Sequence, residues 1–152
     1  IKLMITRSKG FSLIELLVVV AILGIISAIG ISSYSGYVSG TKKKSVENAM
    51  LQMNLAQTEY YSMNGSYYPP SGSSNSSTTT CTPDDTTSSD IEKVLLGDGS
   101  KGPDIITEDL NYHVCIWRKD DQYGLIAEED TSSKACKITM SNMGTVNREQ
   151  HC

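Results

Sequence analysis

Residues 10–31 read GFSLIELLVVVAILGIISAIGI, and this stretch decides the fold because it is apolar almost throughout. As a helix, the part from Phe11 to Ile31 would extend roughly 30 Å, which is enough to cross a bilayer. After Leu16 the only polar side chain in the run is Ser27. Glu15, near its start, places a carboxylate where burial in hydrocarbon is costly unless a partner is found. Glu15 is therefore a candidate functional residue.

A short basic leader precedes the apolar run and ends in Gly10. It contains Lys2, Arg7 and Lys9 and no acidic residue. An ordinary secretory signal peptide carries its small cleavage-site residues after the apolar run, whereas here the small residue stands before it. The pattern predicts that any cleavage occurs upstream of the membrane segment.

The stretch KGFSLIELLVVVAILGI resembles the N-terminus of the type IVa-like pilins of Gram-negative bacteria and of their pseudopilin relatives. The resemblance implies that a prepilin peptidase cleaves between Gly10 and Phe11 and methylates the new amine of Phe11. It also implies that Glu15 neutralises the N-terminal amine of a neighbouring subunit inside a filament. Two alternatives for Glu15 are a carboxylate that reaches the membrane surface and one that is protonated in place.

The chain is long enough for one small domain and an anchor, with 152 residues of which 39% are apolar. The predicted fold class is α+β, with one long helix, membrane-spanning in its first half and amphipathic in its second, packed against a small antiparallel sheet with disulfides. The expected segments are a leader (1–10), a transmembrane and filament-core helix (11–33), an amphipathic helix continuing into the head (34–64), a Ser/Thr-rich loop (65–110), and an antiparallel sheet with a C-terminal disulfide loop (111–152).

The second part of the long helix is predicted from an apolar stripe with spacings of three and four residues. Its members are Val46, Ala49, Met50, Met53, Ala56 and Tyr60, with Lys43, Glu47, Asn48 and Glu59 available for the other faces. The pair Asn64-Gly65 is typical of a helix end, and Pro69-Pro70 could not continue the helix.

The head is predicted to contain three strands and one short helix. The strand signals are runs of aromatic and β-branched residues at 111–117, 123–127 and 135–140. Residues 71–89, dominated by Ser and Thr, are expected to form an exposed loop, followed by a short helix over 91–96 that Asp90 would cap.

Four cysteines follow the membrane segment: Cys81, Cys115, Cys136 and Cys152. Without C-x-x-C spacing they indicate two disulfides in an oxidising compartment rather than a zinc site, which predicts a periplasmic or extracellular head. Four cysteines allow three pairings. The resemblance favours Cys81 with Cys115 and Cys136 with Cys152, since pilins often close a C-terminal loop with a disulfide.

Other candidate sites are incomplete. His113 and Cys115 share a strand face but with His151 make no recognisable metal set, and the turn at 98–104 lacks the full calcium-loop pattern. No nucleophile elbow, phosphate loop or acid/base pair is present, so we expect neither an enzyme nor a cofactor.

Nucleic-acid binding is the remaining electrostatic candidate. The basic residues that could contribute are Lys42, Lys43, Lys44, Lys134, Lys137, Arg148 and His151. The net charge is −4, and −7 without residues 1–10, which disfavours general DNA binding.

The sequence therefore predicts a structural subunit of a type IV pilus serving adhesion, twitching motility or DNA uptake. The expected partners are identical or related pilins, the prepilin peptidase, the inner-membrane assembly platform and, before assembly, membrane lipid. The precursor would lie in the inner membrane with a periplasmic head, and the assembled form would be an extracellular pilus. One alternative is a pseudopilin of a type II secretion system. Another is a secreted binding module, including a DNA-binding minor pilin.

Overall fold

The computed structural model describes residues 10–97, 110–131, 134–149 and 151–152, without the side chain of Ser32. The leader residues Lys2, Arg7 and Lys9 and the candidate calcium turn at 98–104 lie outside these ranges. Two compact units are present, one up to residue 40 and one from residue 41 onward. The helices are α1 (Leu13–Asn64), α2 (Asp85–Ile91) and a π-helical turn (Glu92–Leu96). The strands are β1 (Tyr112–Lys119), β2 (Gln122–Glu129), β3 (Lys137–Ser141) and β4 (Val146–Arg148).

The predicted α+β class is confirmed, with a long helix, a four-stranded antiparallel sheet and two disulfides. Helix α1 ends at Asn64 as predicted, and Gly65 follows with a φ of +69°, a conformation that glycine adopts without steric cost. Its N–H donates to the Tyr61 carbonyl at 2.8 Å, so the last turn is closed.

The apolar stripe of α1 forms half of the core of the second unit. Val46, Ala49, Met50 and Met53 are at most 4% exposed. They pack with the inward side chains of the sheet, which alternate along each strand as a period of two requires. These are Tyr112, Val114, Ile116, Tyr123, Leu125, Ala127, Ile138 and Met140.

The sheet is a meander with the order β1-β2-β3-β4 and antiparallel pairing throughout. The three strand predictions are confirmed with boundary shifts of a few residues. Strand β4 was not predicted because it is only three residues long and carries a single β-branched residue, Val146. Gly144, with a φ of +76°, allows the turn that brings β4 back along β3.

The Ser/Thr-rich segment differs from the prediction. A helix, α2, begins within it at Asp85, and Asp90 lies inside that helix instead of capping a later one. The cap is Asp84, whose Oδ1 accepts from the Thr87 N–H at 2.7 Å while the Thr87 hydroxyl accepts from the Asp84 N–H at 2.9 Å. This reciprocal capping pair starts the helix six residues earlier than the apolar residues alone suggest.

Parts of the segment are buried because their polar groups bond to the free edge of β1. The Ser88 hydroxyl, fully buried, accepts from the Val114 N–H at 2.8 Å. Arg118 N–H donates to the Asn75 carbonyl at 2.9 Å, and Thr78 N–H donates to the Arg118 carbonyl at 3.2 Å. Covering an edge strand in this way removes a surface on which other chains could pair.

Candidate functional site

The first turn of α1 brings Ser12 and Glu15 together. Glu15 Oε2 accepts from the Ser12 backbone N–H at 2.9 Å and from the Ser12 hydroxyl at 2.8 Å. The Ser12 oxygen in turn lies 3.3 Å from the Glu15 backbone N–H. This is a capping box, in which a serine before the helix and a glutamate three residues later each accept a hydrogen bond from the other's backbone N–H. Glu15 Oε1 accepts no hydrogen bond from the described residues.

The peptide bond between Gly10 and Phe11 lies before the helix starts. Both residues are outside regular secondary structure and exposed, with Phe11 at 89%. Among the described residues, and apart from the one adjacent to Gly10, no atom lies within 4 Å of the position that a Cβ on Gly10 would occupy. No described residue beyond the adjacent ones therefore covers Gly10 at this bond.

The apolar residues that follow are exposed on every side of the helix. From Phe11 to Ile31 the large apolar side chains are at least 49% exposed. Between residues 16 and 31 the one hydroxyl, on Ser27, donates to the Leu23 carbonyl at 2.7 Å and so needs no outside partner. Among the described residues α1 alone has the length and composition to cross a membrane. Such a surface requires apolar surroundings.

The N-terminal segment matches a known protein family. The family described as "Prokaryotic N-terminal methylation motif" matches residues 5–31. The chain carries the N-methylation motif of prokaryotic prepilins. It is also homologous to type IV major pilins.

Three relatives illustrate that homology. A fimbrial protein, EcpC, of Eikenella corrodens is 42% identical over 57 residues, covering 38% of this chain and 37% of that protein. The type IV major pilin PilE1 of Neisseria gonorrhoeae is 40% identical over 65 residues, covering 41% and 38%. The major pilin PilA of Myxococcus xanthus is 34% identical over 61 residues, covering 40% and 28%. The chain thus spans less than two fifths of the length of these relatives, and no solved structure matches it.

All four cysteines are paired, in the connectivity that the resemblance favours. Cys81 bonds to Cys115 and Cys136 to Cys152. Cys115 is therefore no metal ligand beside His113. The described residues contain no cluster of three or more His, Cys, Asp or Glu side chains that could hold a metal.

His113 instead lies between two carboxylates, each close to a different ring nitrogen. Its Nδ1 is 3.4 Å from Asp85 and its Nε2 is 3.6 Å from Asp130. Because the two acids approach opposite sides of the imidazole, they cannot act with it on one ion.

The basic residues considered for DNA contact are partly engaged with the chain itself. Arg148 Nε donates to Glu47 Oε1 at 2.6 Å, and Lys44 Nζ donates to Glu47 Oε2 at 2.9 Å. Lys43 Nζ donates to the Cys152 carbonyl at 2.8 Å. Burial raises the pKa of the Glu47 carboxyl, but hydrogen bonds from Arg148 and Lys44 outweigh it and hold that pKa below its usual value. These contacts join β4 and the Cys136–Cys152 loop to α1.

The sequence analysis missed the roles of two residues: Ser12 as the cap of α1, and Glu47 as the carboxylate that pairs with Arg148. For Ser12 a signal exists, since Ser12-Leu13-Ile14-Glu15 has the S-x-x-E spacing of a capping box. For Glu47 the signal is weaker. The residue directly follows Val46 of the apolar stripe, but no local pattern indicates that its partner is Arg148, which lies 101 residues later in the chain.

Proposed function

We propose that this chain is a prepilin whose mature form is a structural subunit of a type IV pilus. The observation that carries the proposal is the N-methylation motif joined to an apolar helix surface exposed on all sides. Lipid covers that surface before assembly, and the helices of other subunits cover it afterwards. The names of the relatives, which are major pilins and fimbrial proteins, favour a pilus over a secretion pseudopilus.

Processing would occur between Gly10 and Phe11, where the chain is exposed and not helical. Cleavage by a prepilin peptidase would create a new amine on Phe11, two residues before α1 begins at Leu13. Methylation would keep that amine basic. In the filament the free Oε1 of Glu15 would accept from the Phe11 amine of a neighbouring subunit, while Oε2 keeps its bonds to Ser12.

In the cell, the precursor would lie in the inner membrane with a periplasmic head, and an assembly platform would extract it into an extracellular fibre. The two disulfides support a head that folds in an oxidising compartment. Adhesion, twitching motility and DNA uptake are the roles that such a fibre would serve.

The test uses a pilus-forming host that lacks its own major pilin. We expect intact-mass analysis of the wild-type protein to give a chain that begins at N-methylated Phe11, and shearing to release fibres. Glu15→Ala should be processed but should yield few or no fibres. Glu59→Ala removes an exposed carboxylate from the same helix and should assemble normally. A mature N-terminus beyond Ile31, or normal fibres from Glu15→Ala, would contradict the proposal.

A further inference from the structure

The sheet face that points away from the core carries Trp117, the only tryptophan of the chain. Trp117 on β1 pairs with Gly124 on β2. A Cβ at position 124 would lie 2.6–2.8 Å from three atoms of the indole ring, so the ring lies close against β2 where glycine leaves room. The sequence pairs a large aromatic plane with the one residue type that lets it lie against the backbone.

A groove of about 610 Å³ surrounds this indole. On one side stand Thr79 and Thr80, fixed next to β1 by the adjacent Cys81–Cys115 disulfide. On the other side stand Thr139 of β3 and Asn147 of β4, which pair directly in the sheet. The volume falls within the range of small-ligand sites, about 300–1,000 Å³.

The charges in the groove balance. Lys137 Nζ and Glu149 Oε2 lie 3.9 Å apart at its end and are its only charged side chains among the described residues. A phosphate-bearing ligand such as nucleic acid would need an excess of positive charge, which is absent from this lining. The complementary ligand is polar and carries no net charge.

The remaining chemistry narrows the ligand class. Hydroxyl and amide side chains both donate and accept hydrogen bonds, so Thr80, Thr139 and Asn147 can bond to several hydroxyl groups of one ligand. The face of an indole is electron-rich and attracts the C–H side of a saturated ring. A hexopyranose presents both surfaces, with hydroxyls around its rim and C–H groups on its faces.

We propose that this groove binds a neutral sugar residue of a glycan, stacked on Trp117 and hydrogen-bonded through Asn147 and Thr139. The site lies within the second unit and does not depend on pilus assembly. It would give the head a contact surface with a chemically defined target.

The test exploits the single tryptophan, because its fluorescence reports on this groove alone. The full chain, in micelles of a detergent without a sugar headgroup, is titrated with the methyl glycosides of galactose, glucose and N-acetylglucosamine. We expect a saturable change in emission for at least one glycoside, with a dissociation constant on the order of millimolar, as is reasonable for one sugar ring. Asn147→Ala keeps the fluorophore and should weaken binding about tenfold.

Asn48→Ala is the matched control, since it makes the same chemical change at an exposed position of α1. It should bind the glycoside as the wild type does. The proposal fails if no glycoside changes the emission, or if Asn147→Ala and Asn48→Ala respond alike. It also fails if the emission changes with protein concentration alone, because the groove would then be covered by a second copy of the chain.

Discussion

The two halves of α1 use apolar residues in opposite ways. Up to Ile31 they surround the helix, and side chains such as Val18 and Val20 remain about half exposed. In the second half Val46, Ala49, Met50 and Met53 form one stripe that is buried against the sheet, while Leu51 and Leu55 on other faces are exposed. A stripe directs a helix onto its own domain, whereas an all-round apolar surface calls for an apolar solvent or other helices.

One carboxylate in each half of α1 shows a similar difference in its hydrogen bonding. Glu47 is 9% exposed, and both of its oxygens bond to cations of its own chain. Within the described part of the chain, the Glu15 carboxylate bonds only to Ser12, through one oxygen. The carboxylate in the head is thus fully paired within the chain, whereas Oε1 of Glu15 in the N-terminal half is available to accept a hydrogen bond. The following predictions test this contrast in order of decreasing effect.

The largest expected effect is the loss of a disulfide, because both disulfides stabilise only the head. Cys81→Ala/Cys115→Ala opens a connection over 34 residues, and Cys136→Ala/Cys152→Ala one over 16. The chain-entropy relation gives losses of about 4 and about 3 kcal/mol in the free energy of unfolding. Guanidinium denaturation of the full chain in micelles, followed by Trp117 fluorescence, measures them. The rate of hydrogen exchange of residues 16–31 should stay unchanged. Faster exchange there would contradict the claim that the disulfides stabilise only the head.

A matched pair of core substitutions compares the halves directly. Met50→Ala removes a fully buried side chain and should lower the free energy of unfolding by about 3 kcal/mol. Leu17→Ala removes one that is 56% exposed and should change it by less than about 0.5 kcal/mol. The same denaturation experiment serves for both variants. Similar losses from the two substitutions would show that the N-terminal half also contributes to the fold of the head.

The sequence predicted features that depend on local patterns. The periodicity of the stripe identified the buried residues Val46, Met50 and Met53, and the Asn64-Gly65 pair gave the end of α1. The three longer strands followed from their aromatic and β-branched residues. At the N-terminus, the motif points to Gly10, Phe11 and Glu15, whose roles in cleavage, methylation and assembly stay predictions.

Features that depend on contacts between distant residues were missed. Ser88 is buried because its hydroxyl accepts a hydrogen bond from the free edge of β1, and no pattern in the sequence around Ser88 indicates this contact. The pairing of Glu47 with Arg148 likewise arises only when β4 folds back beside α1. Ser12 is the exception, since its capping spacing was visible in the sequence.

A moderate effect is expected from Glu47, and it should depend on pH. Its pKa is lower in the folded than in the unfolded protein, so the unfolded state binds the proton more tightly. The stabilisation is therefore present above the unfolded pKa and is lost as the pH falls through the folded pKa. Glu47→Gln should cost about 1 kcal/mol at pH 7 and less at pH 3. Urea denaturation across that range measures this, with Glu59→Gln as the exposed control; parallel pH profiles for wild type and Glu47→Gln would contradict the assignment.

The smallest effect on stability is expected from Ser12→Ala, which removes the cap of α1. Loss of an N-cap costs about 1 kcal/mol, and this cost should stay local because the side chains of the first turn, such as Leu13 and Ile14, are exposed. Hydrogen exchange in the first turn should become about fivefold faster, while the unfolding of the head stays the same. Ser33→Ala, in the interior of the helix, is the control and should leave the first turn unchanged.

The same variant separates two explanations of Glu15. If the carboxylate serves only as a cap, Ser12→Ala and Glu15→Ala should damage fibre formation equally, since each destroys the capping box. If Glu15 also accepts from a neighbouring amine, Ser12→Ala leaves that acceptor in place, since it removes the hydroxyl bond to Oε2 and keeps the bond from the backbone N–H of residue 12. Fibres should then form with Ser12→Ala and fail with Glu15→Ala, so that counting sheared fibres from the two strains distinguishes local capping from contact between subunits.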